Sequence, residues 1–218
     1  MKVFNDVKLE LDEVLEEKLK LLSPGFSSYR LLRKSVDARS RVPHWIVSLE
    51  VYASGEKPPE ETYPVEKVSV SKSLEPVIIV GAGPAGLFAA LRLVERGIAC
   101  RLIEQGSRAN VRMRSIAGYW RYGTLSAKNN VCFGEGGAGL YSDGKLITRI
   151  KSPHIPYVLN RLVKFGAPPE IQYLANPHVG SDKIRKVIPP MREYLEAQGC
   201  TTHFDTKVTG LIYQPERV

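Results

Sequence analysis

Val77-Ile78-Ile79-Val80-Gly81-Ala82-Gly83-Pro84-Ala85-Gly86 is the stretch that decides the fold. Its first four residues are a continuous apolar run, the pattern of a strand buried on both faces of a parallel sheet. Three glycines follow in the order G-x-G-x-x-G. Gly81 permits a tight turn out of the strand, Gly83 lets backbone approach a pyrophosphate, and Gly86 lets the following helix pack closely on the sheet. Pro84 is tolerated in a first helical turn. The free N–H groups and partial positive charge of that helix end suit an anion.

Working outward, Pro84 to Arg96 reads as a helix, with Leu87, Ala90, Leu91 and Val94 on one face and Gly97 as its stop. Ile98 to Ile103 reads as the next strand, which completes a β-α-β unit. Glu104 ends that strand, 18 residues after Gly86. A carboxylate at that distance accepts hydrogen bonds from the ribose hydroxyls of an adenosine and repels a 2′-phosphate. Gln105 follows it in the same turn.

Upstream, residues 1–72 read as a separate small α+β module with a linker. Val3 to Leu11 alternates Val7, Leu9 and Leu11 with charges, as a strand does. Asp12 is a candidate cap for a helix through Leu22 with Val14, Leu15, Leu19 and Leu22 on its apolar face. Ser23-Pro24-Gly25 stops it. Tyr29 to Val36 and Trp45 to Ala53 read as two more strands. The order β-α-β-β suggests a ferredoxin-like half. Residues 54–75, rich in Gly, Pro, Glu, Lys and Ser, read as a linker or crossing segment.

Downstream, Gly118 to Gly144 is rich in glycine and tyrosine. Helices are expected from Ser152-Pro153 to about Phe165 and from Asp182 to about Gln198, the latter kinked or broken at Pro189-Pro190. Thr201 to Phe204 and Val208 to Tyr213 read as short strands. The expected class is therefore α/β: an incomplete Rossmann-like domain over 73–218 behind the small module.

The 218 residues are 43% hydrophobic and 25% charged, which supports a packed core and excludes a disordered chain. No apolar run approaches the roughly 20 residues of a membrane span. With no signal-peptide pattern at the N-terminus, the expected location is the cytoplasm. The formal charge of +8 suits an anionic cofactor and equally an even surface bias. Cys100, Cys132 and Cys200 have no zinc or C-x-x-C spacing, so no metal is expected.

The fingerprint resembles that of the two-dinucleotide-binding flavoprotein superfamily, and that resemblance selects FAD over NAD; the loop itself does not, since both present ADP. Further blocks are Tyr119-Trp120-Arg121-Tyr122-Gly123, Phe133 to Leu146, Ser35-Val36-Asp37-Ala38-Arg39 and Asn176-Pro177-His178-Val179-Gly180-Ser181-Asp182. Together they resemble the bacterial FAD-dependent oxidoreductases described as NAD(FAD)-utilising dehydrogenases. The resemblance implies FAD as cofactor, NAD(P)H as a candidate donor, and a flavin-facing loop containing Gly136, Gly137, Gly139, Asp143 and Lys145. It also implies an adenine contact from Val208. Relatives carry a further returning strand and a Gly-Asp motif, so this chain is expected to be the front portion of a longer protein and to hold FAD weakly alone.

The lone Cys132 does not fit the cysteine pair of flavin disulfide reductases. His178 fits a structural hydrogen bond better than proton transfer. Catalytic residues are not assigned. An alternative is a flavoprotein acting on RNA through Arg30, Arg33, Lys34, Arg39 and Arg41, although the same residues suit a solvated strand face better.

Overall fold

A computed structural model of the chain describes residues 1–59, 75–146 and 148–212. It divides into two units. The first comprises Met1–Tyr63, Lys145–Val163 and Pro168–Val179; the second comprises Pro64–Gly144, Lys164–Ala167 and Gly180–Val218.

In the first unit, β1 (Lys2–Glu10), α1 (Leu15–Leu22), β2 (Phe26–Asp37) and β3 (His44–Ala53) follow in order. The sheet order is β1-β3-β2, with β3 antiparallel to both neighbours. β1 and β2 are therefore parallel, bridged by α1 and split by β3, a split β-α-β arrangement. Alternation along β3 sends Val47, Leu49 and Val51 to one face, where they bury with Leu9 and Leu19. A register shift between Phe4 and Val7 keeps both packed on that core. It passes through Asp6, whose φ of 53° an aspartate tolerates better than most residues.

α1 departs from expectation at its start. Val14 occupies the N-cap position with no side-chain cap, and Asp12 does not cap it. The Glu13 carboxylate instead accepts the Glu10 N–H at 3.1 Å and pairs with Lys18 at 3.0 Å. Only Leu19 of the expected apolar face is fully buried; Val14 and Leu22 are exposed.

The expected continuous domain over 73–218 also differs from the division found. Residues 145–163 and 168–179, including all but the last residue of α4 (Ile155–Lys164), belong with the N-terminal sheet. The reason is visible at the edge of β2. The Lys34 N–H donates to the Tyr173 carbonyl at 2.7 Å, and the Ala175 N–H donates to the Lys34 carbonyl at 2.9 Å.

The second unit contains β4 (Val77–Val80), α2 (Pro84–Glu95), β5 (Cys100–Ile103), α3 (Ala109–Tyr122), α5 (Ser181–Ala197) and β6 (Thr201–His203). The strands form a parallel sheet ordered β4-β5-β6. α2 buries Leu87, Ala90, Leu91 and Val94, as its period requires. β4 is not buried on both faces: it lies at the sheet edge, and Val77, Ile78 and Val80 are exposed. α5 runs unbroken through Pro189 and Pro190, held by buried Val187, Ile188, Met191 and Leu195. No strand forms over 208–212; Leu211 and Ile212 are exposed there, and Tyr213 lies outside the described residues, as do 60–74 of the expected linker. No helix among the described residues is long and apolar enough to cross a membrane.

Candidate functional site: a cavity at the glycine loop

Two of the three fingerprint glycines have a physical reason in the protein itself to be glycine. Gly81 has a φ of 101°, which L side chains rarely adopt. Gly86 is required by packing: a Cβ there would stand 1.9 Å from the Gly81 carbonyl oxygen. Gly83 has neither reason. Its φ is −73°, and a Cβ would meet nothing within 4 Å. The space in front of Gly83 is left open by the protein itself.

That space belongs to a cavity of about 310 Å³ at the carboxyl ends of β4 and β5. It brings together Gly81, Gly83, Glu104, Gln105, Gly137 and Val208 of the residues expected from the sequence. Pro84, Ala85 and Gly86 build the first turn of α2 but do not line the cavity, nor do Gly136, Gly139 and Asp143. Gly136 acts one step back, donating its N–H to the Ala82 carbonyl at 2.8 Å and so tying the second glycine loop to the first. Lys145 does not line this cavity either: it lies in the first unit, in an antiparallel bridge with His178.

Glu104 is 6% exposed. One carboxylate oxygen accepts the Ala82 N–H and the other the Gly106 N–H, both at 2.8 Å. A carboxylate offers about four lone-pair positions, so each oxygen retains capacity for a ligand hydroxyl. Beside it, the Glu104 carbonyl accepts the Thr206 N–H at 3.0 Å, and the Asp205 N–H donates to the Gly106 carbonyl at 3.0 Å. These bonds carry the chain after β6 to the cavity, where Thr206, Lys207 and Val208 form one wall.

Cys132, Phe133 and Gly134 form another part of the cavity's wall. The thiol of Cys132 is exposed and free, whereas Cys100 and Cys200 are buried free thiols. A hydrogen bond between these two, together with burial, pushes the Cys200 thiol up, and the same bond holds Cys100 down.

Two side chains that the sequence did not single out organise this wall. Arg112, fully buried, donates to several carbonyls of the 130–137 segment. Glu135, also fully buried, accepts the Ala109 N–H at 2.7 Å, capping α3 from afar, and pairs with Arg192 of α5. Gly123, in the left-handed conformation at the end of α3, was the available sequence signal for that helix.

A larger cavity of about 950 Å³ lies in the first unit. Ser35, Val36, Asp37, Ala38, Arg39 and Asn176 are among its lining residues, so two of the sequence blocks, far apart in the chain, meet there. Much of the neighbouring basic run is already engaged: Arg30 pairs with Glu50 at 2.9 Å, Arg39 with Asp37 at 2.6 Å, and Lys34 lies 4.2 Å over the Trp45 ring. Among the described residues no three His, Cys, Asp or Glu side chains gather as a metal site would require.

Comparison with known proteins bears on the class of cofactor. Residues 75–122 match a family model described as an FAD binding domain, which supports an FAD-binding flavoprotein family. The chain is also 34% identical over 233 aligned positions to a protein of Clostridium beijerinckii that is described only as uncharacterised. That alignment covers 96% of this chain and 43% of the relative, so the chain spans less than half of the relative's length.

Proposed function

We propose that the second unit holds the ADP half of an FAD in a flavin-dependent oxidoreductase with a Rossmann-like cofactor domain. The observation that carries this is Gly83, which neither backbone conformation nor packing requires to be glycine, and which borders open space at a helix N-terminus. The pyrophosphate would sit there. Glu104 would take the ribose hydroxyls, and Val208 and Lys207 would lie along the adenine. The cavity's volume is at the low end of small-molecule sites, of order 300–1,000 Å³, which suits part of a dinucleotide.

The bound flavin would supply the hydride or electron-pair chemistry. The protein's part is to bind the adenosine end through Glu104 and to disfavour a 2′-phosphate by that same carboxylate. It also excludes side chains from the pyrophosphate path. The resemblance of the sequence blocks supports the NAD(FAD)-utilising dehydrogenase family and NAD(P)H as donor. No observation favours the RNA alternative.

The test is Gly83→Ala in the full-length protein. Folding stability should change by about 1 kcal/mol or less, since the added methyl meets nothing. FAD affinity should fall at least about tenfold, because the methyl occupies the approach to the pyrophosphate. Unchanged affinity in the folded variant would remove the pyrophosphate from this loop. Wild-type protein that shows no flavin absorption even after incubation with FAD would overturn the assignment as a whole.

A further inference from the structure

The wall formed by Cys132, Phe133 and Gly134 is shaped from behind by one cation. Arg112, on α3, has no solvent exposure. Its Nε donates to the Asn130 carbonyl at 3.0 Å and its Nη2 to the Val131 carbonyl at 2.7 Å. Its Nη1 reaches the carbonyls of Glu135 at 2.8 Å and Gly137 at 2.7 Å, with that of Gly134 at 3.4 Å. The Tyr141 ring lies 4.8 Å from the guanidinium carbon. The planar fork thus gathers carbonyls from one loop, a task that five fixed donors perform and an ammonium does not.

Gly134 is glycine because of this contact. A Cβ there would stand 2.5 Å from Arg112 Cδ, and its φ is 115°. Gly137 carries the wall onto the fingerprint loop: its Cβ position is 3.1 Å from Pro84 Cδ and 3.4 Å from Gly83 Cα. Arg112 is therefore one residue removed from the place assigned to the pyrophosphate.

Its hydrogen bonds also go to carbonyls alone. No carboxylate hydrogen-bonds to Arg112 among the described residues. Glu135 is engaged by Arg192 and the Ala109 N–H, and Glu104 by two backbone N–H groups. Burial pulls the guanidinium down, partly opposed by Tyr141, Glu104, Cys132 and Glu135 through space. A buried cation whose hydrogen bonds all go to carbonyls, and whose through-space carboxylates Glu104 and Glu135 are held by other donors, is costly, and a further anion nearby offsets that cost.

We infer that Arg112 is the positioning residue of the diphosphate site: it folds the 130–137 wall around itself and places a fixed positive charge behind Gly137, where the two phosphates of the cofactor supply its counter-charge. This rests on the FAD assignment above. It adds a role for a residue that touches neither cofactor nor substrate.

The experiment titrates the full-length protein with ADP and with uncharged adenosine, for wild type, Arg112→Met and Arg112→Lys. Hydrogen exchange is followed over 128–138 and over β5. Arg112→Met should weaken ADP at least about tenfold while adenosine changes by less than about twofold. The salt dependence of ADP binding should become shallower. Arg112→Lys keeps the charge and loses the fork. It should restore part of the preference for ADP while exchange in 130–137 remains faster than in wild type and β5 stays protected. Should Arg112→Met fail to fold, the lysine variant decides: exchange and ADP affinity equal to wild type would overturn the inference. Equal losses for ADP and adenosine in a folded variant would also overturn it, since a merely structural role predicts that result. Wild-type protein that binds neither ADP nor FAD would overturn the FAD assignment itself and this inference with it, a result distinguishable from both.

Discussion

The carboxylate of Glu135 accepts two contacts from Arg192 Nη1, at 2.7 and 2.9 Å, with Glu135 fully buried and the Arg192 side chain 12% exposed. The pair joins the second glycine loop to α5, and the same carboxylate caps α3 through Ala109. Removing one partner strands the other. Arg192→Met is expected to cost about 3–5 kcal/mol of unfolding free energy, because a buried carboxylate loses its cation. The double variant Glu135→Gln with Arg192→Met should recover much of that loss. Urea unfolding of the two variants checks this; a single-variant loss below about 1 kcal/mol would show that the pair is solvated in solution.

Gly86 and Gly83 make an internal contrast. An added methyl at Gly86 collides with the Gly81 carbonyl, which is backbone and cannot swing aside. Gly86→Ala should therefore destabilise the second unit by about 1–3 kcal/mol, as overpacking does, and weaken FAD binding only as a consequence. Thermal unfolding with and without FAD separates the two glycines: Gly86→Ala lowers the melting temperature of the apo protein, and Gly83→Ala lowers only the shift that FAD produces.

The glycine fingerprint, the α2 face and the β1-α1-β2-β3 order were legible because each is a local pattern whose period survives folding. β4 was read as buried because an apolar run reports what a strand can bury and not what lies beside it; among the described residues its one strand neighbour is β5. α3 was missed because its N-terminus is capped by Glu135, 26 residues further on, and its buried face holds Arg112, which no hydrophobic periodicity reveals. The pairing of Lys34 with 173–175 is likewise a long-range backbone contact. In the candidate site, the sequence named Gly81, Gly83 and Glu104, which line the cavity; it did not reveal the wall built by Arg112 and Glu135, since buried charges find partners through tertiary structure.

Tyr29 donates a hydrogen bond to Glu16 at 2.5 Å. That bond, with burial, pushes the Tyr29 phenol up to about 12, and it holds Glu16 below the ordinary carboxylate value of 4.5. The raised phenol means that the folded state keeps its proton longer than the unfolded state, so stability from Tyr29 is complete below pH 10 and is lost as pH rises toward 12. The lowered Glu16 contributes stability that is present above 4.5 and is lost as pH falls through its folded value. Ultraviolet titration should show Tyr29 among the late components, beside Tyr52, Tyr141 and Tyr173, which burial also pushes up. Glu16→Gln should move the Tyr29 component back toward 10, and a titration unchanged by that substitution would exclude this contact in solution.

Glu104 carries both structure and binding, and the two can be separated. Its oxygens satisfy the Ala82 N–H of the fingerprint loop and the Gly106 N–H of the turn after β5. Glu104→Gln replaces one acceptor by an NH₂ that faces an N–H donor, so one buried backbone donor goes unsatisfied, at about 1–3 kcal/mol. Unfolding should therefore shift by that amount whether or not a ligand is present. If the carboxylate also receives the ribose, the folded variant should lose FAD affinity by about tenfold beyond the stability effect. Adenine, which lacks ribose, should bind wild type and variant alike. Equal losses for FAD and adenine would place the whole effect in the loop and take the ribose contact away from Glu104.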